Sequence, residues 1–210
     1  NDKIITKSGN AFDLNSKIII TQLQPTWVSR GALKLLKAIE FFEINIKNKV
    51  CLDIGSSTGG FTEVLLKNNA KKIFSIDVGT NQLHEKLKKI DNIISIENFN
   101  AKYLNDSIIK EKIDMIVCDV SFISLKKVIY PNLKLLAKNA EIIALIKPQF
   151  ETEKKNLRKG VVTDVSIHNQ ICEDIKSWFI NICKVNVIGI TQSPVKGPKG
   201  NIEFLIYCSL

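Results

Sequence analysis

The chain has 210 residues, of which 45% are hydrophobic and 24% charged. This is the size and composition of one large globular domain, or of a domain plus a fragment, and it excludes a disordered chain, a collagen and a coiled coil. The net charge of +9 suits an anionic partner, although only Arg30 and Arg158 are arginines and a Lys-favouring coding bias explains the excess equally well.

Residues 1–24 carry little apolar periodicity beyond Ile18–Ile20 and read as a peripheral segment with one short strand. After Pro25 the pattern changes. Residues 31–43 place Leu33, Leu36, Ile39 and Phe42, or Leu35, Ala38 and Phe42, at helical spacing. The run 49–54 (KVCLDI) is almost wholly apolar, as a parallel strand covered on both faces must be. A helix follows from Thr58 to Lys67, then a second strand over 71–77 and a helix over about 81–89. The third strand covers 93–97 and the fourth 112–120, followed by a helix over about 124–138 and a fifth strand over 141–147. After a polar stretch at 150–162 come a helix at 165–182 and strands at 184–191 and 201–209. Strands alternating with helices predict an α/β fold: a Rossmann-like, seven-stranded, mostly parallel sheet with helices on both faces. The connection between the last two strands is too short for a helix, so the last strand is expected to run antiparallel.

Five cysteines without close pairing read as buried thiols in a reducing cytosol, which makes the chain cytoplasmic. With two histidines and no zinc spacing, no metal site is expected. There is no apolar run long enough for a membrane span and no signal peptide at the start. The opening at Asn1 rather than Met suggests a trimmed chain.

In such a sheet, ligands bind beyond the carboxyl ends of the strands. The first strand ends in Asp53, Ile54, Gly55, Ser56, Ser57, Thr58, Gly59, Gly60 and Phe61. Glycines let backbone approach a ligand, and the helix beginning there aims free N–H groups at it. The spacing departs from the dinucleotide fingerprint, and the carboxylate of Asp53 suits a cationic amine better than a pyrophosphate. Asp77, 22 positions beyond Gly55 and followed by Val78, suits the two hydroxyls of a ribose. Asn98, Phe99 and Asn100 offer amide edges and a ring to a purine, although a plain turn looks the same. An amine, a ribose and a purine together describe S-adenosylmethionine; NAD fits less well. Asp119 and Lys147 close the fourth and fifth strands, Glu203 lies at the start of the seventh, and Lys34 lies in the first helix. Charges in such places need partners, and all four converge on one sheet edge.

Here the residues resemble a known family. Val28-Ser29-Arg30-Gly31 with Lys34-Leu35, CLDIGSSTGGFT, IDVG, CDVSFISL, KPQFE and SPVKGPKGNIEF look like the TlyA, hemolysin-like branch of the FtsJ-type (RrmJ-like) S-adenosylmethionine-dependent rRNA ribose 2′-O-methyltransferases. The likeness runs from about residue 25 to 209, in order; Ala32 stands where relatives usually have a second glycine. It implies methyl transfer to a ribose 2′-OH of ribosomal RNA, with the ribosomal subunit as partner. The family's Lys-Asp-Lys-Glu tetrad falls on Lys34, Asp119, Lys147 and Glu203. It also implies that residues 1–24 are the tail of a small RNA-binding domain and that 25–210 form the methyltransferase domain. A 2′-hydroxyl is a weak acid, so a base must take its proton as it attacks. Lys147 is the expected base, with Asp119 orienting it, Lys34 steadying the developing charge or a phosphate, and Glu203 positioning Lys34 or the ribose. Arg30, beside Ser29, suits a bidentate phosphate contact. Arg158 and Lys159 belong to a basic loop that reads either as a solvated surface or as an RNA-facing lip. The alternatives are a membrane-active hemolysin, an RNA-binding module without activity, and a different methyl acceptor on the same fold.

Overall fold

The structure, a computed structural model, describes residues 11–17, 19 and 27–210. The strand expected at 18–20, like most of segment 1–24, lies outside the described residues. Residues 11–17 are exposed, with a turn at Leu14 and Asn15.

Seven strands among the described residues form one sheet: β1 (Val50–Ile54), β2 (Lys72–Ile76), β3 (Ile93–Ile96), β4 (Ile113–Cys118), β5 (Leu136–Ile146), β6 (Asn186–Gln192) and β7 (Phe204–Ser209). Their order is β3-β2-β1-β4-β5-β7-β6. The first five pair in parallel, and β7 runs antiparallel to both of its neighbours. The chain therefore winds outward from β1 in one direction and from β4 in the other.

The central strands are apolar throughout because both faces are covered. Leu52, Ile54, Ile116, Ile142 and Ile206 face one side, where they meet Leu125 and Ile129 of α4 (Leu125–Ile129) and Ile171, Ile175 and Phe179 of α6 (Val165–Asn181). Cys51, Met115, Val117, Ile143 and Leu205 face the other, against Leu35 and Ala38 of α1 (Ala32–Phe42) and Val64 and Leu65 of α2 (Gly60–Lys67). Helix α6 thus spends its apolar side on the sheet. Among the described residues no helix is long and apolar enough to cross a membrane.

Several element boundaries differ from the expected ones. The helix expected over 124–138 is α only from Leu125 to Ile129. It tightens into a 3-10 segment at Tyr130–Leu135, because Pro131 has no N–H to continue an α-helix, and β5 has already begun at Leu136. The helix expected over 81–89 shrinks to α3 (Glu85–Lys88), with the His84 ring accepting from Lys86 N at 3.2 Å. Helix α2 starts at Gly60 rather than Thr58, since Gly59 takes φ 98. The seventh strand starts at Phe204, after a 3-10 turn at Pro198–Gly200. The stretch 150–162 carries the end of α5 (Pro148–Glu151), a 3-10 turn at Lys154–Asn156 and a bridge between Arg158 and Val161.

All five cysteines are free. Burial pushes the thiols of Cys51 and Cys172 up to about 12, so they behave as apolar filling.

One buried acid ties the start of α1 to two helices. Glu63 of α2 accepts from Val28 N at 2.6 Å and Lys86 Nζ at 2.9 Å, with Lys67 at 3.6 Å. Burial pushes its carboxyl up, but these partners outweigh burial and hold it below its ordinary value. Hydrogen bonds to a charged group are worth about 1.5–3 kcal/mol, so Glu63→Ala should lower unfolding stability by about that amount in urea denaturation. An unchanged midpoint would show that the clamp contributes nothing.

Candidate active site

The winding reverses between β1 and β4, and the crevice beyond their carboxyl ends is where such a sheet takes ligands. Gly55 and Asp119 leave the two strands side by side. Asp119 N–H donates to Ile54 O at 3.0 Å, and a Cβ at Gly55 would stand 2.7 Å from Asp119 O. With φ at 81°, position 55 needs glycine on both counts.

Four charged residues meet at this edge, each from a different part of the chain. Lys34 enters from α1, Asp119 follows β4, Lys147 follows β5, and Glu203 precedes β7. Lys34 Nζ donates to Glu203 Oε2 at 2.8 Å and to Asp119 Oδ2 at 3.1 Å. Lys147 Nζ lies 2.5 Å from Asp119 Oδ1 and donates to Ser121 Oγ at 2.9 Å. The result is a chain of alternating sign: Glu203, Lys34, Asp119, Lys147. Lys34, Lys147 and Glu203 are only 8%, 6% and 1% exposed. Such groups survive burial because each charge faces an opposite one. Burial alone would lower the pKa of Lys34, but the Asp119 charge and the bond to Glu203 outweigh it and leave the ammonium above its ordinary value. Glu203 packs against Gly197, where any Cβ would collide with its carboxylate.

The crevice has two lobes that share Gly55, Ser57, Asp119 and Ser121 as walls. The narrower lobe, about 230 Å³, holds Lys34 and Lys147, with Ser29, Arg30 and Lys196 at its mouth and Ser56, Gly60 and Phe61 along one side. The wider lobe, about 410 Å³, is lined by Asp77 and by Ile76, Val78, Phe99, Asn100 and Val120. Asp77 is held from two sides, Oδ1 accepting from Gly79 N at 2.7 Å and Oδ2 from Ser57 N at 2.8 Å. A fixed carboxylate among apolar walls suits a nucleoside: the acid accepts from ribose hydroxyls and the walls sandwich a purine.

Some expected site residues do not reach the crevice. Asp53 lies fully buried behind the Gly-rich turn, accepting from Thr62 Oγ1 at 2.6 Å, and lines neither lobe. Thr58 is exposed, and its carbonyl accepts from His84 N. Gly59 faces Leu83 and Leu87. Asn98 turns the chain at φ 53 and spends its N–H on Gly79 O, so that Phe99 and Asn100 reach the lobe instead. Arg158 and Lys159 are exposed outside the lobes. Their turn is stitched to the 193–201 loop by Asn201, whose Nδ2 donates to Gly160 O at 3.1 Å and whose Oδ1 accepts from Val162 N at 3.3 Å. Lys199 reaches across to Lys159 O at 3.5 Å, so Arg158, Lys159, Lys196 and Lys199 belong to two joined loops beside the narrow lobe. Ser121, Phe122 and Lys196 line the crevice although sequence reasoning did not single them out. Phe122 is 91% exposed at φ 65, its ring 5.2 Å from that of Phe150. Their signal was the step from strand end to turn in Asp119-Val120-Ser121-Phe122. Among the described residues, no group of three or more His, Cys, Asp or Glu is placed to hold a metal ion.

Comparison with known proteins covers the same stretch of chain. Residues 27–209 match the family described as FtsJ-like methyltransferase. Hemolysin A of Brachyspira hyodysenteriae is 41% identical over 207 residues, covering 98% of this chain and 85% of that protein. The 23S rRNA (cytidine-2′-O)-methyltransferase TlyA of Campylobacter jejuni is 40% identical over 214 residues, covering 98% and 77%. A crystal structure from Lactococcus lactis, described as that of a hemolysin, superposes with a TM-score of 0.85 at 41% identity, over 89% of each chain.

The isolation of Asp53 has a consequence for stability. Burial pushes its carboxyl up to about 7, against the bond from Thr62, and Oδ1 has no hydrogen-bond partner. The folded state therefore favours the protonated acid. Stability from this group is complete below the unfolded value of 3.8 and is lost as pH rises toward 7. Asp53→Asn stays neutral throughout. Its stability advantage over the wild type should open between about pH 4 and 7 and reach on the order of 4 kcal/mol. Thermal unfolding across that range checks this, and a difference independent of pH would contradict it.

Proposed function

The chain belongs to the FtsJ-like methyltransferase family, and from that premise we propose that it transfers a methyl group from S-adenosylmethionine to a ribose 2′-hydroxyl of ribosomal RNA. The observation that carries this reading is the buried Lys34–Asp119–Lys147–Glu203 chain standing where the nucleoside lobe opens into a second, cationic lobe. The residues present fit the cofactor: Asp77 for its ribose, Ile76, Val78 and Phe99 for its purine, and the Gly55–Ser57 turn for the remainder. When bound, S-adenosylmethionine supplies an electrophilic methyl group on a sulfonium.

The chain's own residues supply the rest. Lys147 Nζ takes the proton of the 2′-hydroxyl, which is otherwise too weak a nucleophile at neutral pH. Asp119 holds Lys147 in place and offsets the positive charge it acquires. Lys34, with two carboxylates against it, stays an ammonium and stabilises the negative charge growing on the acceptor oxygen. Glu203 fixes Lys34 and, being buried, keeps it from swinging into solvent. Arg30 and Lys196 at the mouth, with Arg158, Lys159 and Lys199 on the joined loops, suit the phosphates on either side of the acceptor nucleotide. The outward ring of Phe122 offers a face on which an unstacked base can lie. Ribosomal RNA as acceptor makes the ribosome or its subunits the partner and the cytoplasm the place of work.

The test separates acceptor chemistry from cofactor binding. Lys147→Ala should lower methylation of ribosomal subunits by at least about a hundredfold, the usual contribution of a general base, while leaving S-adenosylmethionine affinity near wild type. Asp77→Ala should do the converse, weakening that affinity by at least about tenfold through the loss of charge-assisted hydrogen bonds. Tritium transfer and calorimetry read the two effects. A Lys147→Ala protein with more than about a tenth of normal turnover would remove Lys147 from the role of base.

A further inference from the structure

Ser121 lies two residues beyond Asp119 and lines both lobes of the crevice. Its Oγ accepts from Lys147 Nζ at 2.9 Å, while Asp119 lies 2.5 Å from the same nitrogen. The turn that places it is specific. Phe122 takes φ 65, a backbone state few non-glycine residues adopt, so consecutive side chains diverge: the ring of Phe122 faces solvent and the hydroxyl of Ser121 meets the lysine.

We infer that Ser121 is a positioning residue that aims the lone pair of Lys147 at the acceptor hydroxyl. The inference rests on the reading of Lys147 as base. An amine that accepts a proton carries two N–H bonds and one lone pair in a tetrahedral array about Nζ. Asp119 Oδ1 lies 2.5 Å away without hydrogen-bond geometry, so it pairs with the nitrogen by charge and fixes none of those three directions. With Asp119 alone, the group can rotate about the Cε–Nζ bond and the lone pair is not aimed. With the Ser121 oxygen accepting one N–H, that rotation is stopped. Lys147 lines the narrower lobe, and the lone pair is productive when it takes the direction toward that lobe. On protonation the new N–H occupies that same direction, and the contacts to Asp119 and Ser121 persist. The proton thus passes from the acceptor oxygen to Nζ without any regrouping of the site. A hydroxyl suits this place better than a second carboxylate, because it accepts the N–H without adding a charge.

The experiment compares Ser121→Ala, Ser121→Thr, Lys147→Ala and the double variant Ser121→Ala/Lys147→Ala on ribosomal subunits. It reads single-turnover rate, half-saturation by RNA, cofactor affinity by calorimetry, and thermal midpoint. Misaiming a reacting group by a small distance costs up to about a hundredfold, so Ser121→Ala should slow the maximal rate by roughly tenfold to a hundredfold. RNA half-saturation, cofactor affinity and thermal midpoint should stay near wild type, and Ser121→Thr, which restores the hydroxyl, should recover most of the rate. The double variant should be no slower than Lys147→Ala, because Ser121 acts only through the lysine. A full rate in Ser121→Ala alongside an inactive Lys147→Ala would overturn the role of Ser121 and leave the base in place. So would a loss confined to RNA half-saturation, or a double variant slowed by a further factor. An active Lys147→Ala would overturn the base, and the role of Ser121 with it.

Discussion

Asp119 holds two lysines at once, and the rest of the site depends on that double contact. Two ammonium groups buried at one edge would repel each other and lose their hydration, at a cost of several kcal/mol each. With both lysines protonated, one carboxylate between them and a second on the far side of Lys34 make the cluster an alternating series without net charge, from which Lys147 must shed its proton before it acts as base. The arrangement demands backbone from α1, β4, β5 and β7 within one side-chain length. A doubly wound sheet provides it, because β4 and β5 end side by side at the reversal of winding while β7 doubles back to bring Glu203 to the same edge. The tight approaches nearby follow from the same demand. Gly55 lets β1 lie against Asp119, and Gly197 leaves room for Glu203.

The two lysines are not equivalent. Lys34 faces two carboxylates and is held as a cation, suited to stabilising negative charge. Lys147 faces one carboxylate and one neutral hydroxyl, surroundings that can hold it before and after it gains a proton. Asp53 shows the opposite case. It is buried without a cationic partner, and burial pushes its carboxyl up to about 7, so that it holds its proton through the mildly acidic range. Whether an ammonium faces a buried carboxyl thus decides how readily it keeps its proton.

Much of this was legible in the sequence, for reasons that also mark the limits. The strands could be read because both of their faces are buried, which forces runs such as VCLDI and MIVCD. The tetrad could be read because a charge that ends an apolar strand must find a partner, and strand ends in such a sheet share one edge. The helix over 124–138 was overextended because apolar spacing continues through Pro131, while the missing N–H ends the α-helix first. Asp53 looked like a ligand-binding acid by its place before the glycines, yet strand alternation turns it away from the crevice and toward Thr62. Ser121 and Phe122 were missed because their place in the crevice depends on a left-handed turn that no glycine announces. The joining of the 158–162 and 193–201 loops through Asn201 is a contact over some forty residues, which local pattern does not reveal.

The central claim is that this edge methylates a ribose oxygen and not a base. Alkaline hydrolysis of ribosomal RNA labelled from tritiated S-adenosylmethionine by the protein tests it most directly, because cleavage beside a nucleotide requires its free 2′-hydroxyl. The account predicts label in alkali-resistant dinucleotides, whose further digestion yields a 2′-O-methylated nucleoside. Label released with mononucleotides and carried on a methylated base would contradict it.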